Sequence, residues 1–134
     1  MTEIFNRNFN EEKWTETLYV AGSYRADCEY NVKQNIRKAE DIGVLLWSWG
    51  WVAVVPHMNT AFFGGAYGLP DEVWLKGDLA IIEGCKGLVV MPGWKFSTGT
   101  CAEIEKAKEI NHPIFYWEND KDRYWLRDYY REWE

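Results

Sequence analysis

Two carboxylates occupy helix positions where the pattern calls for apolar side chains. In Thr100–Asn111, TCAEIEKAKEIN, residues Glu105, Lys106, Lys108 and Glu109 form a solvent face. Glu103 falls instead at helical spacing with Ala107 and Ile110, on the apolar stripe and in the helix's first turn. In EVWLKGDLAIIE, Glu72–Glu83, Asp78 lies between Leu75 and Leu79 on a face shared with Trp74, Ile81 and Ile82. An unpaired buried carboxylate is expensive, so each acid needs a partner or a task. A helix-end or salt-bridge role would account for a lone Asp. Two inward acids on two helices of one small domain point to a site.

Groups able to bind an anion accompany them. Gly22-Ser23-Tyr24-Arg25 stands where a strand hands over to a helix, and offers backbone N–H groups, a hydroxyl and a guanidinium. Ser97-Thr98-Gly99 repeats the arrangement before the Glu103 helix, although Ser and Thr are also ordinary helix caps. There is no GxGxxG and no GxxxxGK[ST], so a dinucleotide or P-loop site has no motif to rest on. His57, with Asn59 close behind, lies at a strand's carboxyl end, where ligand contact and a structural role fit equally. Cys101 opens a helix, where a thiolate would be favoured, but without a histidine near in sequence it reads as packing.

The elements that must position these groups alternate. Thr17–Ala21 reads as a strand, about Glu29–Trp47 as a helix with Val32, Ile36, Ala39, Ile42 and Leu46 on one stripe, and Trp51–Val55 as a second strand stopped by Pro56. His57–Pro70, rich in glycine, is expected to be a long loop with a short helical turn at most, and such loops are functional or mobile. A helix from Asp71 to about Glu83, a strand Gly87–Met91, the Glu103 helix and a strand Pro113–Trp117 follow. Residues 120–134 read as an amphipathic helix whose Trp125, Tyr129 and Trp133 serve packing or a subunit contact. The alternation predicts an α/β three-layer sandwich around a mainly parallel sheet of four to five strands. One domain would span 1–134, with 1–14 as a polar extension. Ligands of such sheets bind outside the carboxyl ends of the strands, where 22–25, 56–60 and 92–99 all fall.

Composition narrows the class. The chain has 134 residues, 47% hydrophobic and 27% charged, as expected for one folded domain. A net charge of -6 argues against a general nucleic-acid binder but leaves room for a local basic pocket. Without a long apolar run or a signal-like start, the protein is expected to be cytoplasmic and not bound to a membrane. Three cysteines without CxxC spacing read as free thiols, and two distant histidines give no metal constellation. Neither a metal nor a cofactor is expected.

Together these segments resemble the nucleoside 2′-deoxyribosyltransferase superfamily, including the 2′-deoxynucleoside 5′-phosphate N-hydrolases. The likeness is carried by Tyr19-Val20-Ala21-Gly22-Ser23-Tyr24-Arg25, by Asp78 in Trp74-Leu75-Lys76-Gly77-Asp78-Leu79, and by Ser97-Thr98-Gly99 leading to Glu103, six positions after Ser97. It spans roughly Thr17 to Trp117 and implies a Rossmann-like, flavodoxin-like fold. It further implies Glu103 as the nucleophile on the anomeric carbon, kept ionised by its helix N-terminus, and Asp78 as the acid that holds a sugar hydroxyl or helps protonate the departing base. Tyr19 would orient Glu103. Gly22, Ser23, Tyr24, Arg25, Ser97 and Gly99 would bind substrate and its phosphate, with His57 and Asn59 nearby. The implied partner is a nucleoside or nucleotide, and the implied assembly a homo-oligomer, dimer or larger. Water or a second base could resolve the intermediate. A catalytically silent nucleotide-binding module is the alternative, and an α/β interaction protein docking through its aromatic surface is a third reading.

Overall fold

The computed structural model describes residues 16–129; the extension at 1–14 and positions 130–134, Trp133 among them, lie outside the described residues. Strands β1 (Thr17–Ala21), β2 (Val52–Val54), β3 (Gly87–Val90) and β4 (Ile114–Tyr116) form one sheet in the order β2-β1-β3-β4. Every pairing is parallel. Helices α1 (Glu29–Ser48), α2 (Pro56–Asn59), α3 (Asp71–Gly84), α4 (Thr98–Glu109) and α5 (Asp120–Asp128) supply the connections. The sheet has four strands among the described residues, the lower of the two expected numbers. β2 is shorter than the apolar run suggested. The Trp51 amide is taken by the Leu46 carbonyl, and Val55 caps α2, which Pro56 opens with its fixed φ.

Side chains alternate across a strand, and that alternation sorts the layers. Leu18, Val20 and Val89 face one side of the sheet, with Ala39, Ile42 and Leu46 of α1 and Leu126 of α5. Tyr19, Ala21, Leu88 and Val90 face the other, with Ile82 of α3 and Ile104 and Ala107 of α4. The result is the three-layer α/β sandwich, with a flavodoxin-like strand order. Tyr19 is thereby committed to the face covered by the two acid-bearing helices. On the opposite face Trp125 stacks on Phe115, centroids 5.2 Å apart, and Tyr129 on Trp51, at 4.9 Å. Those two members of the C-terminal aromatic stripe pack within the chain.

The sheet also fixes where a ligand can enter. β2 lies on one side of β1 and β3 on the other, so the loops leaving β1 and β3 diverge and open a crevice at their carboxyl ends. Gly22 begins the first of these loops. A Cβ built there would come within 2.8 Å of Cβ and Cγ of Met91, just beyond β3. Gly22→Ala is therefore expected to cost about 1–3 kcal/mol of stability through overpacking. An unchanged denaturant midpoint would show that Met91 moves aside freely.

Candidate functional site

The crevice is a cleft of about 510 Å³. Its wall includes Asp78 from α3 and Glu103 from α4, with Tyr19 buried beneath them. The Tyr19 hydroxyl donates a hydrogen bond to Glu103 Oε2. Among the described residues no ion pair engages either carboxylate; the Lys106–Glu83 pair, at 2.7 Å, ties α4 to α3 elsewhere. The two acids flagged by helical periodicity thus meet at one cleft, over one tyrosine that β1's alternation delivers to them.

Burial dominates their electrostatics. It pushes the Asp78 carboxyl up to about 6, with Tyr19 acting the other way as a hydrogen-bonding neighbour. It pushes Glu103 up to about 8, opposed by the Tyr19 hydrogen bond and reinforced by the negative charge of Asp78. Tyr19 itself is raised far above its usual range by burial and then by the two carboxylates, so its proton stays in place to donate. One phenolic proton serves one acceptor at a time, and here it lies on Glu103.

This works against the expectation that a helix N-terminus keeps Glu103 ionised. The helix starts at Thr98 rather than Thr100, with Ser97 as its N-cap, so Glu103 sits in the second turn. The dipole's influence fades within the first turn, and burial prevails. Of the two acids, Glu103 is therefore the one that holds its proton to higher pH.

The expected anion-binding residues divide. Ser23, Tyr24, Arg25, Ser97 and Gly99 all line the cleft. A Cβ at Gly99 would meet nothing within 4 Å, so the backbone there is open to close approach by a ligand. The Ser97 hydroxyl already accepts from the Thr100 amide at 3.2 Å and from Thr100 Oγ1 at 2.8 Å, a capping role. The Arg25 guanidinium is paired with Asp71 at the cleft mouth, and both side chains are largely exposed. An exposed pair is worth little, so the guanidinium can leave Asp71 for a stronger anion.

The second loop differs most from its sequence reading. His57 is buried in the short helix α2, with Nε2 3.1 Å from the Ser23 carbonyl, and so buttresses the turn after β1. Burial lowers its pKa, opposed by hydrogen bonding to the Ser23 and Gly22 backbone. Tyr24 lies edge-on to His57 with centroids 6.4 Å apart, and its hydroxyl accepts from the Phe62 amide at 2.6 Å. Asn59 is exposed, closes α2 and is absent from the cleft wall, so its place among the binding residues is withdrawn.

A single family model spans all of these residues, matching 16–117. The chain belongs to the family described as Domain of unknown function (DUF7768). No curated protein matches it. Within this DUF7768 domain the cleft also takes in Trp74, Phe96 and Thr60, which the sequence reading passed over as site residues. Trp74 was findable, because it lies four residues before Asp78 and therefore on the same helix face. Phe96 is 93% exposed at the mouth, and only its position beside Ser97 hinted at that.

Proposed function

We propose that this domain breaks, or transfers the sugar across, the N-glycosidic bond of a 2′-deoxynucleoside or its 5′-monophosphate. The Glu103 carboxylate attacks C1′ and forms an ester; the C1′–N bond breaks, and its electron pair leaves with the base, which takes up a proton. Water or a second base then displaces Glu103 from C1′. Tyr19 positions Glu103, and Asp78, ionised above about pH 6, accepts a hydrogen bond from a sugar hydroxyl. The observation that carries the reading is the Tyr19–Glu103 hydrogen bond beside Asp78 in one cleft, with neither carboxylate engaged in an ion pair among the described residues. Similarity to the deoxyribosyltransferase superfamily at these same residues supports it. No described helix is long and apolar enough to cross a membrane, and we place the reaction in the cytoplasm, in a homo-oligomer.

A nucleotide-binding module without turnover is the second reading. The burial of Glu103 favours it: burial pushes the carboxyl up to about 8 and so towards its neutral form, and a protonated acid is no nucleophile. Incubation with the four deoxynucleoside monophosphates and the matching nucleosides, with and without a free base, decides between them. Released base marks a hydrolase and exchanged nucleoside a transferase; binding without either marks the module.

The phosphate is tested separately. Arg25→Ala is expected to raise KM for monophosphates about tenfold, the value of one charge-assisted contact, and to leave nucleosides nearly unchanged. Equal losses for both would remove Arg25 from phosphate recognition.

A further inference from the structure

Two polar atoms of the described residues are buried without a hydrogen-bonding partner, His57 Nδ1 and Trp74 Nε1. They come from different elements, α2 and α3, yet both residues wall the same cleft. His57 is only 5% exposed. Unpaired buried polar groups cost stability, and native proteins keep few of them. Two around one cleft mark groups held for an incoming partner.

Their chemistry is assignable. An indole N–H can only donate, so Trp74 Nε1 is a donor. His57 Nε2 faces the Ser23 carbonyl at 3.1 Å, and a carbonyl can only accept. The ring proton therefore sits on Nε2, and Nδ1 presents a lone pair. Burial opposes charging of the ring, against the Ser23 and Gly22 backbone hydrogen bonds that favour it, and with the proton on Nε2 the acceptor is Nδ1. An acceptor of this kind repels phosphate and calls for an N–H or O–H group. The cleft wall thus offers one donor and one acceptor.

The position suits a base. Trp74 stands one helical turn before Asp78 on the same face of α3. A sugar held at Asp78 and Glu103 therefore has Trp74 as its neighbour along the helix. Segment 60–69 packs on Trp74 directly and reaches His57 through Tyr24. Phe63 lies edge-on against Trp74 with centroids 5.8 Å apart, and Tyr24, bonded to the Phe62 amide, lies edge-on against His57. Phe62 and Tyr67 hold left-handed backbone, φ 62° and 54°, which bulky residues seldom adopt. Phe62, Phe63 and Tyr67 are all exposed. A strained cover with its aromatic rings in solvent is cheap to displace.

We propose that His57 Nδ1 and Trp74 Nε1 read the hydrogen-bonding edge of the substrate's nucleobase, once segment 60–69 moves aside. His57 accepts from a ring or exocyclic N–H, and Trp74 donates to the adjacent carbonyl oxygen or ring nitrogen. This rests on the glycosidic reading above and adds to it a requirement for an unsubstituted donor–acceptor edge. A base that lacks the donor leaves Nδ1 buried and unpaired in the complex, and a site built around a hydrogen bond rejects such a ligand strongly.

The test separates binding from the leaving ability of the base by using the full chain carrying Glu103→Gln. The four deoxynucleoside 5′-monophosphates are titrated calorimetrically beside forms whose edge donor is methylated: 3-methyl for thymine, 1-methyl for guanine, N,N-dimethyl for cytosine and adenine. For whichever nucleotide binds best, methylation is expected to weaken binding about tenfold or more. Trp74→Phe, which keeps a ring against Phe63 but removes the donor, is expected to weaken the unmethylated nucleotide by a similar factor. If nucleotides are cleaved by the unmodified chain but methylation and Trp74→Phe change affinity less than twofold, the base-edge inference falls and the glycosidic reading stands. If no nucleotide binds to either chain, both fall.

Discussion

Glu103→Gln is expected to abolish turnover while making the protein harder to melt at pH 8. Loss of a nucleophile leaves only the contribution of binding and positioning, so the rate should drop at least about a thousandfold. Glu103→Ala should lose turnover equally and still fold. The stability effect follows from burial. Glu103 titrates near its ordinary value of 4.5 in the unfolded chain and at about 8 in the fold. The folded state therefore holds a proton that the unfolded state has released, and stability falls as pH rises from about 4.5 through about 8. Glutamine keeps the shape and has no proton to lose. The variant should match the parent's melting temperature near pH 5 and exceed it by several degrees at pH 8, a gain on the order of a few kcal/mol. A variant that is both active within a few-fold and no more stable at pH 8 would remove Glu103 from the mechanism and from the buried site together.

Much of this arrangement was legible because it follows from periodicity. The strand alternation that puts Tyr19 with Ala21, Leu88 and Val90, and the helical spacing that turns Asp78 and Glu103 inward, are local rules. Combined with the parallel strand order they bring all three to one face of the sheet. What escaped depends on contacts that no local rule encodes. Glu103's protonation is set by the total burial of a finished fold, which outweighs a helix terminus that lies a turn away. Arg25 has the composition of a phosphate ligand, but Asp71, far along the chain, holds it at the mouth. Asn59 shares a loop with His57, yet once Pro56 opens a helical turn there the two side chains part, one buried and one in solvent. The segment after them reads as a glycine-rich loop, and only in three dimensions does it become a cover over His57 and Trp74.

The pH dependence of turnover should carry the signature of the pair and expose the role of the tyrosine. Nucleophilic attack needs ionised Glu103, so kcat/KM is expected to rise with pH through about 8 and then level off. Asp78, at about 6, is already ionised over that range and can accept from a sugar hydroxyl throughout. A rate that rises only to about 6, stays level to about 8 and falls at higher pH would instead make Asp78 the acid that protonates the departing base. Because the two groups interact, the steps belong to the pair rather than to either residue alone. Tyr19→Phe sharpens the test. Its hydroxyl donates to Glu103 and is the influence that lowers both carboxyls against burial. Without it Glu103 ionises less readily, so the rising limb should move to higher pH. At pH 7 the loss should be on the order of 10- to 100-fold, the ordinary value of a lost charge-assisted hydrogen bond, and it should narrow by pH 9. A uniform loss at every pH would mean that Tyr19 only packs; a limb displaced to the alkaline side means that it sets the charge on which the reaction depends.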